Sequence, residues 1–495
     1  MNVSAGWEAA SGTTESTNAH YRGFPSGEFH SLNYAAEVYK KPTRTENTTR
    51  RVSVLASANY TWNDIYLVDA SVRFDGSSEF GANQKWAPFF SGGLGVNIHN
   101  YDFFKSNGYI NKLKLRASYG RTGKVNFPAY AATTMYETLF DEWYITGYGA
   151  VLKALGNKDL TWEKTDKLSV GIETKTFHDR LTVDFEYYYN KTIDLVNDVT
   201  LSQTSGFSTY KDNMGQVANK GVELKLRADI YHDRNWNVAL WGNMAHNKNE
   251  ILKISDSQKA YNERVAAYYK NEALYQETLG LSHGAEYSVP LPQYEEGASL
   301  TSIWAVRSLG IDPTTGKEIF LNRDGSIADK WNAAQEVVVG NTEPKCSGAF
   351  GLNLSYKNWT LFASFLYEWG GQEYNQTLVN NVENADLVNK NVDLRVLTDR
   401  WKKPGDIAQF KDIKDRGMTT LPTSRFVQDK ALVRLNSLNV SYDFNRDWIK
   451  KHLRMNLLRL EASTSDLINW SSIKQERGLS YPRSWKVEFS LKAQF

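Results

Sequence analysis

Apolar and polar residues alternate along much of this chain with a period of two. From Ser484 to Phe495 the odd positions hold Trp485, Val487, Phe489, Leu491, Ala493 and Phe495, and every even position is polar. A β-strand sends successive side chains to opposite faces, so this spacing makes one face apolar and the other wet. Val222, Leu224, Leu226, Ala228 and Ile230 repeat the pattern, with Glu223, Lys225, Arg227 and Asp229 between them. It returns from Leu181 to Tyr189, Leu361 to Trp369, Val54 to Trp62 and Leu113 to Tyr119.

These runs predict antiparallel strands near 2–12, 51–62, 65–74, 86–98, 112–120, 166–177, 181–191, 216–231, 236–246, 347–356, 359–369, 430–443, 455–467 and 484–495, about fourteen in all. Tight polar turns join alternate pairs at Asn63-Asp64, His178-Asp179, His232 to Asn235 and Lys357-Asn358. The connections between them are long: 121–165, 192–215, 247–346 and 370–429. The stretch 13–50 reads as a loop with a short helix around Phe29 to Tyr39. Ile303 to Phe320, with the turn Asn322-Arg323-Asp324-Gly325, reads as a hairpin-bearing extension.

A soluble sandwich and a lipid-facing barrel both bury one face of each strand. Runs of about 10 to 13 residues suit a tilted membrane crossing better than a soluble strand. Tyr and Trp gather at strand ends, as at Tyr60 and Trp62, Tyr187 to Tyr189, and Tyr367 and Trp369, where an interfacial girdle places them. The alternation of short turns with long connections is that of an outer-membrane barrel, with the turns and, for an even strand count, both termini on the periplasmic side. The predicted fold class is therefore all-β, a portion of an antiparallel transmembrane β-barrel with long extracellular loops.

Composition narrows the function. The chain has 495 residues, 41% hydrophobic, and a mean hydropathy of −0.53. No stretch approaches the roughly 20 apolar residues of a spanning helix. With 58 basic and 56 acidic side chains the net charge is +2, which argues against electrostatic capture of nucleic acid. The single cysteine, Cys346, excludes an internal disulfide scaffold and a Cys-rich zinc site. The His residues are scattered, without HExxH, and neither GxSxG nor a Cys-His pair is evident. No catalytic, cofactor or metal residues are expected, and an enzyme is not. Asp312 to Gly316 and Asn322 to Gly325 lack the full calcium-loop pattern and read as hairpin turns. Met1 to Trp7 has neither a basic nor an apolar leader region, so no secretion signal is visible.

Specific words add a resemblance. Ser71-Val72-Arg73-Phe74-Asp75-Gly76-Ser77-Ser78-Glu79-Phe80, Leu113 to Gly123 (LKLRASYGRTG), Leu160-Thr161-Trp162-Glu163-Lys164 and Asn219-Lys220-Gly221-Val222-Glu223-Leu224 come in that order. Gly310-Ile311-Asp312-Pro313 with Thr315-Gly316, Gly340 to Pro344, Arg400-Trp401 with Pro404-Gly405-Asp406, and Tyr481-Pro482-Arg483 follow. This ordered set resembles SusC/RagA-type TonB-linked outer-membrane transporters. The resemblance implies a Gram-negative, Bacteroidetes-like outer membrane, import of oligosaccharides or peptides, a SusD-like surface lipoprotein as lid, and the TonB system acting through a plug. Family barrels have 22 strands and a preceding plug, so residues 1–495 are expected to be the C-terminal part of the barrel, without the plug and earlier strands.

Within that frame Trp143, Tyr144, Tyr268, Tyr269 and Tyr287 are candidate ligand or lid contacts, because aromatic rings stack on sugars and peptide side chains. They also suit plain packing inside loops. The terminal strand, with Phe489 and a final Phe495, resembles the signal read by the barrel assembly machinery. Two competing readings are a secreted or surface β-protein that binds or cleaves glycans and a passive, self-closing porin.

Overall fold

The computed structural model describes the chain except for residues 26–30, 106–108, 126, 128–129, 146, 201–208, 214, 255–257, 261, 264–293, 333–334, 390–391, 418–419 and 474–485. Strands β1 (Asn2–Arg22), β2 (Glu37–Trp62), β3 (Tyr66–Ser77), β4 (Trp86–Asn97) and β5 (Ile110–Lys124) come first. The hairpin β6 (Met135–Tyr144) and β7 (Gly147–Ala154) follows, then β8 (Glu163–Thr176), β9 (Leu181–Ile193), and the small pair β10 (Val196–Thr200) and β11 (Thr209–Asn213). After β12 (Gln216–His232) and β13 (Trp236–Lys253) lies an insert of β14 (Ser302–Ile311), β15 (Glu318–Leu321), β16 (Ile327–Ala328) and β17 (Glu336–Asn341). The chain continues through β18 (Cys346–Tyr356), β19 (Trp359–Tyr374), β20 (Val427–Asp443), β21 (Leu457–Ser465), β22 (Asn469–Ser471) and β23 (Lys486–Gln494).

One 15-stranded sheet dominates, in the order β1-β2-β3-β4-β5-β8-β9-β12-β13-β18-β19-β20-β21-β23, with β22 beside β20. All its pairings are antiparallel, and every segment predicted from the alternation lies on this path. The stretch 13–50 departs from expectation. Most of it is strand, with β1 and β2 continuing as a ladder from Thr13 opposite Thr48 to Asn18 opposite Thr43 and a connection left only between Arg22 and Glu37. The helix expected around Phe29 to Tyr39 shrinks to one 3-10 turn, Leu32–Tyr34. Thr-rich runs favour the extended backbone, but both faces of this arm are wet, so no apolar alternation marks it. The insert predicted around Ile303 to Phe320 is the separate four-stranded sheet β16-β15-β14-β17.

Opposed residues of an antiparallel pair share a face, so the register sorts the side chains. Leu115, Ile172, Phe185, Leu224 and Met244 stand in one row across β5, β8, β9, β12 and β13. Leu240, Leu352, Ala363 and Leu438 extend the same face through β18, β19 and β20. Large members of this face, including Val170, Leu226 and Phe350, are exposed. Rings collect beside the short turns. Trp236 lies 4.3 Å from Tyr356, Trp359 4.8 Å from Tyr442, and Trp62 5.5 Å from Tyr66. The protein's buried cores lie instead at the long-connection end, around Val379, Val382, Val396, Phe410 and Phe426, and around Phe80, Leu160 and Trp162. No described helix is long and apolar enough to cross a membrane.

An uncovered apolar face on long strands is stable only against hydrocarbon. Val170→Arg, on that face, is expected to cost about 2–4 kcal/mol of folding free energy in lipid vesicles, whereas Ser169→Arg, one residue away, should cost much less. Denaturant titration of the native protein in vesicles checks this; equal costs would contradict the assignment of faces.

Candidate functional site

The other face of the sheet is polar and carries a lattice of cross-strand contacts. Ser118, Ser169, Tyr188, Gly221 and Asn247 form one row, and Lys167, Asn190, Asn219 and Asn249 form the next. Ser118 and Ser169 hydroxyls lie 2.9 Å apart, and Tyr188 donates its hydroxyl to Asn247 Oδ1 at 2.9 Å. Asn249 Nδ2 donates to Asn219 Oδ1 at 2.9 Å. A cavity of about 550 Å³ opens over these rows, lined by Lys167, Glu186, Tyr188, Asn219, Glu223 and Asn247 among others. Glu186 and Glu223 stand opposite each other, and Arg116 offsets the like charges by donating to Glu186 at 2.6 Å and Asp184 at 2.9 Å.

Two glycines make this surface possible. Tyr188 crosses the neighbouring strand at Gly221, where a Cβ would sit 2.7 Å from its hydroxyl and collide with the His246 carbonyl. Arg116 crosses at Gly171, where a Cβ would meet Nε at 2.7 Å. Long side chains therefore lie along the wall instead of standing into the cavity. The surface offers hydroxyl, amide, ammonium and carboxylate groups together, which suits polar solutes better than one charged class.

At the long-connection end the segment 375–426 folds onto the β14–β17 sheet. Arg425 bridges Glu318 at 2.9 Å and Glu383 at 2.7 Å, with Glu383 fully buried. Arg400, also buried, donates to the carbonyls of Val396 at 3.1 Å, Lys411 at 2.9 Å and Glu383 at 2.9 Å. Trp401 Nε1 and Gly405 N both donate to the Pro313 carbonyl at 2.8 Å. Two words of the sequence almost ninety residues apart are thus one contact. The buried Arg425 cluster is costly to assemble and costly to break, so this platform is held in one arrangement.

Of the aromatic candidates, Trp143 and Tyr144 fall at the end of β6, with Tyr148 and Gly147 opposite. Tyr268, Tyr269 and Tyr287 lie outside the described residues. Phe489 stands opposite Ala462 on the apolar face of β23, and Phe495 follows that strand, exposed. The charged row Glu223, Lys225, Arg227 and Asp229 alternates with apolar positions of β12 as expected, and Glu223 lines the cavity. The Arg425 cluster left no readable signal, because Glu318 and Arg425 stand 107 residues apart with strands of the wall between them. Among the described residues no group of three or more His, Cys, Asp or Glu is placed to hold a metal ion.

The family described as TonB dependent receptor-like, beta-barrel matches residues 2–457. The chain belongs to this family. It is 28% identical over 445 residues to TonB-dependent receptor P3 of Formosa agariphila, covering 88% of this chain and 42% of the relative. TonB-dependent receptor P39 of the same organism is 27% identical over 524 residues, covering 95% and 49%. TonB-dependent receptor SusC of Bacteroides thetaiotaomicron is 29% identical over 255 residues, covering 49% and 25%. The chain thus spans about half the length or less of these relatives. The solved structure of the RagAB peptide transporter shares the fold, with a TM-score of 0.80 at 23% identity over 99% of this chain and 53% of that one. The family is one of outer-membrane β-barrels, so the apolar face is the lipid face and the polar face lines the lumen.

Glu336 of β17 generates a pH prediction. It is buried, its Oε1 has no hydrogen-bond partner, and Arg323 spends its guanidinium on the Glu336 carbonyl. Burial pushes the carboxyl up to about 7, against a smaller opposing pull from Arg323. The folded state therefore prefers the protonated acid. Its stabilisation of the insert is complete below the ordinary carboxyl range and fades as pH rises through about 7, by on the order of 3 kcal/mol. Amide protection factors of β14 and β17, referred to the intrinsic rate at each pH, are expected to fall between pH 5 and 8, and Glu336→Gln should flatten that fall; an unchanged dependence in the variant would refute the assignment.

Proposed function

We propose that this chain, as a member of that family, forms part of the barrel wall of a SusC-like importer for oligosaccharides or peptides. The observation that carries the reading is the lumen face, a continuous lattice of mixed polar groups with a cavity of about 550 Å³. Its groups match the hydroxyls of sugars and the amides of peptides equally, which is why both remain in the proposal. In this reading a SusD-like lipoprotein closes over the long extracellular connections, where the Arg425 platform gives it a fixed surface. Trp143, Tyr144, Tyr268, Tyr269 and Tyr287 are proposed contacts for ligand or lid, and Phe489 and Phe495 an assembly signal.

Energy would come from TonB through a plug carried by a preceding part of the protein, together with further strands. The wall itself supports this. Among the described residues β1 and β23 pair on one side only and not with each other. Extra strands would cover both edges, and a self-closing porin of these strands alone would need β1 to meet β23.

Uptake tests the reading. Cells lacking the gene are expected to lose uptake of a labelled oligosaccharide or peptide pool, and dissipating the proton-motive force should abolish it in the parent strain. Uptake that survives uncoupling would favour a passive pore. Orientation has its own check, in a Cys346→Ser background. Asp324→Cys, in the β15–β16 turn, should react with a membrane-impermeant maleimide on intact cells, and Asp179→Cys, in the β8–β9 turn, should not; the reverse pattern would invert the wall.

A further inference from the structure

Above Cys346 the wall has a notch. β18 begins at Cys346, whereas its neighbours run on to Lys253 in β13 and Tyr374 in β19. The connection 342–345 crosses the gap. Lys345 places its carbonyl 2.7 Å from His246 Nδ1, and the Glu343 carboxylate accepts from Asn249 N at 3.1 Å. A cavity of about 530 Å³ fills the notch, lined by His246, Lys248, Lys345, Trp369, Gln372 and Asp429 among others.

The register sets much of this cavity's lining at the upper edge of the lipid face, while Asn247 of the lumen row lines its other side. His246 stands opposite Val222, and Trp369 opposite Ala431, next along β19 from the outward pair Tyr367 and Val433. Just below, Phe350 stacks on Phe365 with centroids 5.2 Å apart. Trp369 is 69% exposed, so its indole is a free platform. The stem of Lys345 packs along Gly370, which has φ +81° at a bulge in β19.

The lining sets the ammonium groups of Lys248, Lys345 and Lys430 against the carboxylates of Glu343 and Asp429, and Lys430 pairs with Glu368 at 3.4 Å and Glu373 at 3.5 Å. Asp429 accepts from Gln372 at 3.0 Å, and Glu343 from Asn247 and Asn249. Among the described residues Lys345 makes no ion pair, and Lys248 has only an exposed contact with Glu250 at 3.4 Å, which is weak. The cavity thus combines available ammonium groups, an aromatic platform and a hydrocarbon-facing belt below. A solute in the lumen would have no tail to lay on that belt.

We propose that the notch binds the phosphorylated sugar head group of an outer-leaflet glycolipid of the lipopolysaccharide type. Phosphate would sit against Lys248 and Lys345, a sugar ring against Trp369, and the acyl chains against the Phe350 belt. This rests on the proposed outward orientation of the long connections, which the maleimide experiment decides independently.

The test is binding of defined probes to the native protein purified in detergent, with folding confirmed by heat-modifiable electrophoretic mobility. Phosphorylated lipid A is expected to bind, and Lys248→Gln with Lys345→Gln to weaken it about tenfold, near 1.4 kcal/mol. The paired Lys→Arg variant should retain binding, and Trp369→Ala should weaken phosphorylated and dephosphorylated lipid A alike. Unchanged affinity in the paired Gln variant would overturn the proposal. So would equal binding of dephosphorylated lipid A, of phosphatidylglycerol, or of inorganic phosphate alone; the last two would point to a generic anion site or to the opposite leaflet.

Discussion

A backbone amide inside hydrocarbon has no water to bind, and each unpaired group costs several kcal/mol, so a membrane wall made of strands must be an unbroken hydrogen-bonded ladder. The rest of this structure follows from that demand. Strands run in chain order so that each finds its partner at once, the turn end carries tight turns and the short helices Asp102–Lys105 and Arg446–Leu453, and the larger additions lie at the other. The β6–β7 hairpin, the β14–β17 sheet and the 375–426 segment all lie at that end, where their irregular backbone is free to meet water. The same demand falls on the outer edges of β1 and β23. A wall whose two edges are open, in a chain spanning about half the length of its relatives, supports the reading of one portion of a larger barrel.

Several of the words that carry the family resemblance prove to be one another's contacts, while Tyr481-Pro482-Arg483 lies outside the described residues. Phe80 of the first stacks on Trp162 of the third at 4.2 Å, while Gly81 N donates to the Leu160 carbonyl at 3.0 Å. Asn219 accepts from Asn249, which in turn donates its backbone N–H to Glu343 of a later word. Trp401 lies across Gly316 and bonds to Pro313. Each word alone is short and common, but here it forms one half of a junction between the wall and its extensions. A set of such words in fixed order is specific because the partners must occur together for either to have a place.

Alternation made the wall legible from sequence, because lipid on one side and water on the other impose a strict two-residue period. It failed where both sides are wet. The arm formed by Thr13 to Arg22 and Glu37 to Arg50 is strand without alternation, so polar composition alone made it resemble a loop. The lumen surface was half visible: the charged positions of β12 announced a wet face, but which side chains cross to neighbouring strands depends on register, and register between distant strands is not written locally. Gly171 and Gly221 take their role from that register, which lays Arg116 and Tyr188 over them. The Arg425 cluster was invisible, since Glu318, Glu383 and Arg425 share neither a period nor a neighbourhood in the chain.

Period two also explains why one sheet supports two unrelated chemistries. Moving one residue along a strand exchanges the lumen for lipid, so the polar lumen lattice and the lipid-facing belt are separated by a single backbone unit along the wall. That separation holds only where strands are paired on both sides. At the upper end of β13 the ladder loses β18, and in β19 the bulge between Trp369 and Gly371 shifts the phase. There the polar groups of the connection 342–345 reach the edge of the lipid face, and an indole stands with little cover beside ammonium groups. The notch thus sets a mixed surface at the rim of the sorted wall, and an environment that is itself mixed, charged sugar above and hydrocarbon below, is the outer leaflet's own interface.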